Sequence, residues 1–189
     1  IELTIPAGSS HDWSVGGPPR VMQTSADEDF SIELKFETQV DQIGQFHGVL
    51  IEEDADTYAR VSYEYSAAGR IMYARFVKDG VILKNFSFTL PADKPVPMAM
   101  KVTRTGNSVN WFYLENGVWK KPSGAPYGTD IVPLNIGFFA GNSGAGGAQP
   151  GFRSVVDYFF NSDLPIVPED AAPMSVNINQ IGTGTVTKQ

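Results

Sequence analysis

The sequence contains no cysteine. A disulfide scaffold, thiolate catalysis and a cysteine zinc site are therefore excluded, while the compartment stays open, because many bacterial secreted proteins also lack cysteine. Histidine is almost as scarce. His11 and His47 are the only two, too few for a histidine zinc site and too far apart in sequence to be read as a pair. Positive charge is in deficit: 14 basic residues face 21 acidic ones, a net charge of −7. That balance argues against nucleic acid, which needs clustered Lys and Arg, and against an anionic membrane surface as partner. No apolar run approaches the roughly 20 residues of a membrane helix. There is no G-x-S-x-G for a serine nucleophile. The glycine-rich stretch NSGAGGAQPG (142–151) lacks the Lys-Ser/Thr and following helix of a phosphate loop, and reads as a loop between strands. Helical periodicity is missing too, since no segment holds a 3.6-residue period over a dozen residues.

What is present is a folded chain rich in strand signals. Its 189 residues are 42% hydrophobic and 12% aromatic, enough for one domain with some extra. DFSIELKFE alternates cleanly, with Phe30, Ile32, Leu34 and Phe36 on one face and Ser31, Glu33, Lys35 and Glu37 on the other. HGVLIEE, TYARVSYEY, RIMYARFV, VILKNFSFTL, MAMKVTRT, SVNWFYLE, VWKK, PLNIGFFAGN and SVVDYFFNS continue the pattern, separated by turn residues. With 19 glycines and 13 prolines as punctuation, the expectation is an all-β, antiparallel two-sheet sandwich over residues 1–163. One helical turn is expected near Asp130. LPIVPEDAAP (164–173) is proline-spaced and reads as a linker. Residues 174–189 begin a new β pattern too short to fold alone, the truncated start of a following module. The first residue is Ile1, not Met, and no signal peptide is visible; the expectation is a piece of a longer, processed chain joined covalently to neighbouring modules.

Four acidic groups crowd into Glu52–Asp56 of IEEDADTYARVSYEY. Asp54 and Asp56 offer two oxygens to a calcium ion that wants about six to eight, and the Asp-x-Asp-x-Asp-Gly pattern is absent. A solvated hairpin turn is the plainer reading.

The order of motifs carries a likeness. DWSVGGPPRVMQT (12–24), DFSIELKFE, GVLIEEDADTYARVSYEY, KVTRTGNSVNWFYLENGVW, NIGFFAGNSG and VVDYFFN together resemble the concanavalin A-like jelly-roll domains. The likeness is to the DUF1349 and laminin-G-like modules attached to secreted bacterial glycoside hydrolases, and it runs from about Leu3 to Ser162. It implies two curved antiparallel sheets with a polysaccharide or oligosaccharide bound on the concave face or its rim, in a secreted or bacterial cell-surface setting. Hydrolases of this fold carry E-x-D-x-x-E on one strand. Here Glu52-Glu53-Asp54-Ala55-Asp56-Thr57 supplies E-x-D, but Thr57 stands where the acid belongs, so the domain itself reads as no enzyme. VVDYFFN is similar to the last strand of related hydrolases, which implies at most one structural calcium ion with Asp157 among its ligands; an ordinary aspartate at a sheet edge is the other reading.

A sugar platform combines aromatic rings, which pack on the C–H faces of pyranoses, with fixed polar groups for the hydroxyls. Alternation along TYARVSYEY puts Tyr58, Arg60, Ser62 and Glu64 on one face, and Ala59, Val61, Tyr63 and Tyr65 on the other. The polar set is expected to face outward or to lie on the concave surface, with Arg60 and Glu64 as hydroxyl partners. Tyr73 and Arg75 extend it from the next strand, and Trp13 with Arg20 forms a rim at one end, Trp13 being the exposed ring. Trp111 is the remaining stacking candidate, and core packing is its competing reading. Three functions follow as expectations: a non-catalytic carbohydrate-binding module of a secreted multimodular polysaccharide-degrading enzyme, a structural or adhesion spacer of a surface protein, and a divergent glycoside hydrolase.

Overall fold

A computed structural model describes residues 1–90, 98–144, 149–162 and 185–187. The strands are β1 (Glu2–Ile5), β2 (Arg20–Thr24), β3 (Phe30–Phe36), β4 (Gln45–Glu52), β5 (Tyr58–Ser66), β6 (Gly69–Lys78) and β7 (Val81–Thr89). They continue with β8 (Met98–Thr105), β9 (Ser108–Glu115), β10 (Val118–Lys120), β11 (Tyr127–Gly128), β12 (Asn135–Asn142), β13 (Phe152–Asn161) and β14 (Thr185–Thr187). Among the described residues the one helical element is a 3-10 turn at Trp13–Val15. The turn expected near Asp130 does not form; that residue lies in irregular chain between β11 and β12.

Two antiparallel sheets face each other as a jelly-roll sandwich. The eight-stranded sheet runs β10-β9-β8-β3-β13-β1-β14 with β11 beside β9, and the six-stranded sheet runs β2-β12-β4-β5-β6-β7. β3 buries Phe30, Ile32, Leu34 and Phe36, as its alternation dictates. Facing them across the core are Val49 and Ile51 of β4, Ala59, Val61 and Tyr63 of β5, and Met72, Ala74 and Phe76 of β6. The Tyr63 hydroxyl is buried but satisfied, donating to the Ala99 carbonyl at 2.6 Å.

Turn chemistry sets the registers. Asp79-Gly80 and Asn116-Gly117 take positive φ at both positions (51° and 74°; 51° and 75°). Those values are the type I′ geometry that matches strand twist, so β6–β7 and β9–β10 close as tight hairpins. The acidic stretch is likewise a turn. Between β4 and β5, the Thr57 N–H donates to the Asp54 carbonyl at 3.4 Å and the Asp56 N–H to the Asp54 carboxylate at 2.8 Å.

Thr185–Thr187 adds an antiparallel edge strand to β1. The linker expected over 164–173, and all of 174–189 except this strand, lie outside the described residues.

Candidate functional site

Register places one row of side chains on the outer face of the six-stranded sheet. Arg60 of β5 lies opposite Leu50 of β4 and Arg75 of β6, Ser62 opposite Gly48 and Tyr73, Glu64 opposite Phe46, and Tyr58 opposite Glu52. Phe139 of β12 lies opposite Gly48 and Arg20. The two-residue period then carries Arg20, Glu52, Tyr58, Arg60, Glu64, Tyr73 and Arg75 onto this one face.

The chain between β1 and β2 folds over the row. It is pinned at His11, whose N–H donates to the Asn142 carbonyl at 3.0 Å. The Asn142 side chain in turn donates to the carbonyls of Pro6 (3.1 Å) and Pro150 (2.8 Å). Gly141 permits the approach, since a Cβ there would lie 2.2 Å from the His11 carbonyl oxygen. The Asp12 carboxylate then accepts from the Ser14 N–H at 2.9 Å, capping the 3-10 turn, and the turn ends on Gly16 at φ 98°.

That turn lays Trp13 across the sheet. Its ring stacks on Tyr58 (centroids 5.5 Å apart, planes 18°) and Phe46 (6.0 Å, 29°) and meets the edge of Phe139 at 5.0 Å. Phe46, Leu50, Tyr58, Val77 and Phe139 form a second apolar cluster, separate from the sandwich core, with Trp13 and Met22 packed against it. Two expectations are corrected here. Trp13 is not a free-standing exposed ring but half-buried, because the pinned loop presses it onto the cluster. Nor are Tyr58 and Arg60 a solvated surface row; both are buried beneath that loop.

Arg60 sits at the centre of this arrangement. Its guanidinium carbon is 4.2 Å from the Trp13 ring centroid, 5.1 Å from Tyr73 and 5.6 Å from Phe46. Nη1 lies 3.4 Å from a Glu64 carboxylate oxygen, while Nε has no hydrogen-bond partner. Burial pulls the Arg60 pKa below the ordinary arginine value, Glu64 opposes the shift, and Arg75 reinforces it. Glu64 also accepts from the Ser62 hydroxyl at 2.8 Å. Arg75 donates from Nε to the Tyr73 hydroxyl and to Asn85 Oδ1, both at 3.0 Å. At the far end Arg20 pairs with Glu52 at 2.8 Å. Burial raises the Glu52 carboxyl pKa, against the pull of Arg20. It also raises that of the Tyr58 phenol, against Arg60 and Arg75.

Trp111 lies elsewhere. It is 1% exposed, inside the sandwich, with Phe76 at 5.8 Å and Phe86 at 5.3 Å. Inward-facing Val109 and Tyr113 share its side of β9, so core packing takes it and it cannot stack on a bound ring from there.

Asp157 occupies a bulge of β13, where the register shifts between Val156 and Tyr158, on the outside of the eight-stranded sheet. Its carboxylate accepts from Lys35 Nζ at 2.5 Å. Among the described residues no group of three or more acidic or histidine side chains converges as a cation site. The Asp157 carboxylate is thus exposed and already engaged by a lysine, and a calcium ion there would draw its other oxygens from loop carbonyls.

Sequence reasoning missed Phe46, Leu50 and Phe139. Their signal was available: QFHGVLIE and NIGFFAGN are near-continuous apolar runs, the pattern of strands buried on both faces, and both strands are buried over almost their whole length.

The fold matches solved structures at low sequence identity. The GH43 protein BlXynB from Bacillus licheniformis aligns with a TM-score of 0.64 at 15% identity, over 82% of this chain and 32% of that one. A xylan beta-1,4-xylosidase from Bacillus halodurans C-125 aligns with a TM-score of 0.58 at 16% identity, over 77% of this chain and 30% of that one. A legume lectin-like domain from Entamoeba histolytica aligns with a TM-score of 0.55 at 12% identity, over 78% of this chain and 81% of that one. This chain shares their two-sheet antiparallel jelly-roll fold. It spans about a third of the length of the two Bacillus proteins it matches. No protein-family model matches it, the DUF1349 model included. No curated protein matches it in sequence.

Proposed function

We propose that this domain is a non-catalytic carbohydrate-binding module of a secreted, multimodular polysaccharide-degrading enzyme. The observation that carries the reading is the gathering of Trp13, Tyr73, Arg60, Arg75 and Glu64 on one sheet face. Aromatic surface beside fixed guanidinium and carboxylate groups is what pyranose recognition requires. Supporting it are the likeness to GH43 proteins and to a lectin-like domain, and the fact that in the Bacillus proteins this fold is a fraction of a longer chain. Its role would be to hold a covalently linked catalytic module near its substrate by effective concentration. Glu52 and Glu64 are each engaged by an arginine, which supports binding in preference to acid–base work on a glycosidic bond.

The second reading, a spacer or adhesion domain without a glycan site, is favoured by one observation: Trp13 already covers Phe46 and Tyr58. Affinity electrophoresis against a panel of plant and microbial polysaccharides separates the two. Retardation by a glycan, weakened in Arg75→Ala, supports the module; a blank panel and a blank glycan array leave the spacer. Release of reducing sugar by the domain alone would overturn both.

A further inference from the structure

The outer face of the six-stranded sheet carries an unbalanced charge. Arg60 and Arg75 are direct cross-strand partners, an arrangement that is destabilising for like charges unless an anion lies between them. Among the described residues Glu64 is the one carboxylate paired with either, and it reaches only Nη1 of Arg60, at 3.4 Å, while sharing itself with Ser62. Arg75 finds only neutral partners, the Tyr73 hydroxyl and the Asn85 side-chain carbonyl, and makes no ion pair among the described residues. Two guanidinium groups against one carboxylate leave this patch positive on a chain whose net charge is −7. A second, independent sign is at Arg60 itself. It is only 7% exposed, yet its Nε has no partner, and buried donors are normally satisfied.

We propose that the ligand of this face is an acidic glycan, one whose sugar units carry a carboxylate that docks between Arg60 and Arg75 while the ring lies against Tyr73 and the Trp13 turn. This rests on the glycan-binding reading of the same face. The planar guanidinium fork matches a carboxylate in two parallel hydrogen bonds, which a hydroxyl cannot offer. A uronate would therefore relieve the Arg60–Arg75 repulsion and give Arg75 the anionic partner that it lacks among the described residues. A neutral sugar would do neither.

The test uses the whole chain in native affinity gels and calorimetry, with polygalacturonate, alginate and glucuronoxylan, each beside its carboxyl-reduced, neutral form. The expected result is that at least one polyuronate binds about tenfold or more tightly than its reduced form, the difference shrinking as salt rises. Arg75→Gln should abolish that preference without lowering the melting temperature, and Arg75→Lys, which keeps the charge but not the fork, should restore only part of it. Binding of neutral glycans as tightly as acidic ones, with Arg75→Gln weakening both alike, overturns the acidic class and leaves the glycan face standing. Equal retention by polyglutamate overturns it as unspecific charge attraction. No binding to any polysaccharide, acidic or neutral, overturns the face reading and the inference with it.

Discussion

The guanidinium of Arg60 sits over the indole of Trp13, its carbon 4.2 Å from the ring centroid, with Phe46 and Tyr73 also within cation–π reach. A buried cation is costly unless compensated. Here three aromatic faces and Glu64 offset part of that cost, while Nε goes without a partner. Trp13 also covers the second apolar cluster, so Trp13→Ala should cost about 3 kcal/mol of stability, near the lower end for truncating a large aromatic. Trp13→Phe should recover more than half. Urea unfolding measures both; a Trp13→Ala loss below about 0.5 kcal/mol would show that the turn is not holding the cluster.

Trp111 gives the opposite prediction. It sits among Phe76 and Phe86 inside the sandwich, so Trp111→Ala should cost about 3–5 kcal/mol. Trp111→Phe should fold and keep the affinity of the wild type for any glycan it binds. A folded Trp111→Phe protein with selectively lost affinity would put the binding surface on the other sheet.

His47 makes stability depend on pH. Its ring is fully buried, stacked on Phe36 at 3.6 Å with Nδ1 2.9 Å from the Ser154 hydroxyl, and Nε2 has no partner. Burial holds its pKa well below the ordinary value. Above the unfolded-state pKa of about 6.5, both states are neutral and the histidine exerts no pH effect. Below it the unfolded chain takes up a proton that the folded chain refuses, so stability falls as pH drops, by up to about 1.4 kcal/mol per pH unit. Comparing unfolding free energies of wild type and His47→Phe at pH 7.5, 6 and 5 isolates this slope. Identical pH dependence in the two proteins would remove His47 as its source.

Gly48 and Gly137 are required by close interstrand packing. A Cβ would meet the Val61 carbonyl oxygen at 2.0 Å in the first case and that of Val21 at 1.9 Å in the second. Backbone cannot rotate away as a side chain can, so Gly48→Ala and Gly137→Ala should each lose about 3 kcal/mol or more, or fail to fold. Gly128→Ala is the control, because its nearest neighbour is 3.9 Å away; it should stay within about 0.5 kcal/mol of wild type. Thermal melts of the three variants suffice.

Asp157 and Lys35 form an exposed ion pair. Such pairs contribute little. Asp157→Asn should leave the melting temperature unchanged within error, and so should excess chelator. A chelator-dependent fall that Asp157→Asn abolishes would restore a calcium site there by mass action.

Much of the fold was legible in the sequence because its signals are local. The alternation of Phe30, Ile32, Leu34 and Phe36 names the buried face of β3, and Asp79-Gly80 and Asn116-Gly117 dictate tight hairpins through the φ values they tolerate. The acidic Glu52–Asp56 stretch resolves as a turn for the same local reason. Alternation also put Tyr58, Arg60 and Glu64 on one side of β5, and Tyr73 with Arg75 on one side of β6.

Which side was buried is a different matter. SVNWFYLE is apolar on both parities, with Val109, Trp111 and Tyr113 against Phe112 and Leu114, so the strand alone cannot say which row enters the core. Only the opposing sheet, through Phe76 and Phe86, takes Trp111 inward. The row from Tyr58 to Glu64 reads as solvated because nothing nearby in the chain announces a cover. The cover comes from residues before β2, held by a buried asparagine at the far end of β12. The bulge that turns Asp157 toward Lys35 depends on pairing with β3. Side-chain period and turn chemistry are properties of a few consecutive residues. Burial of an outward face and the company a charge keeps are set by segments distant in sequence, which meet only when the two sheets and the Trp13 turn close around them.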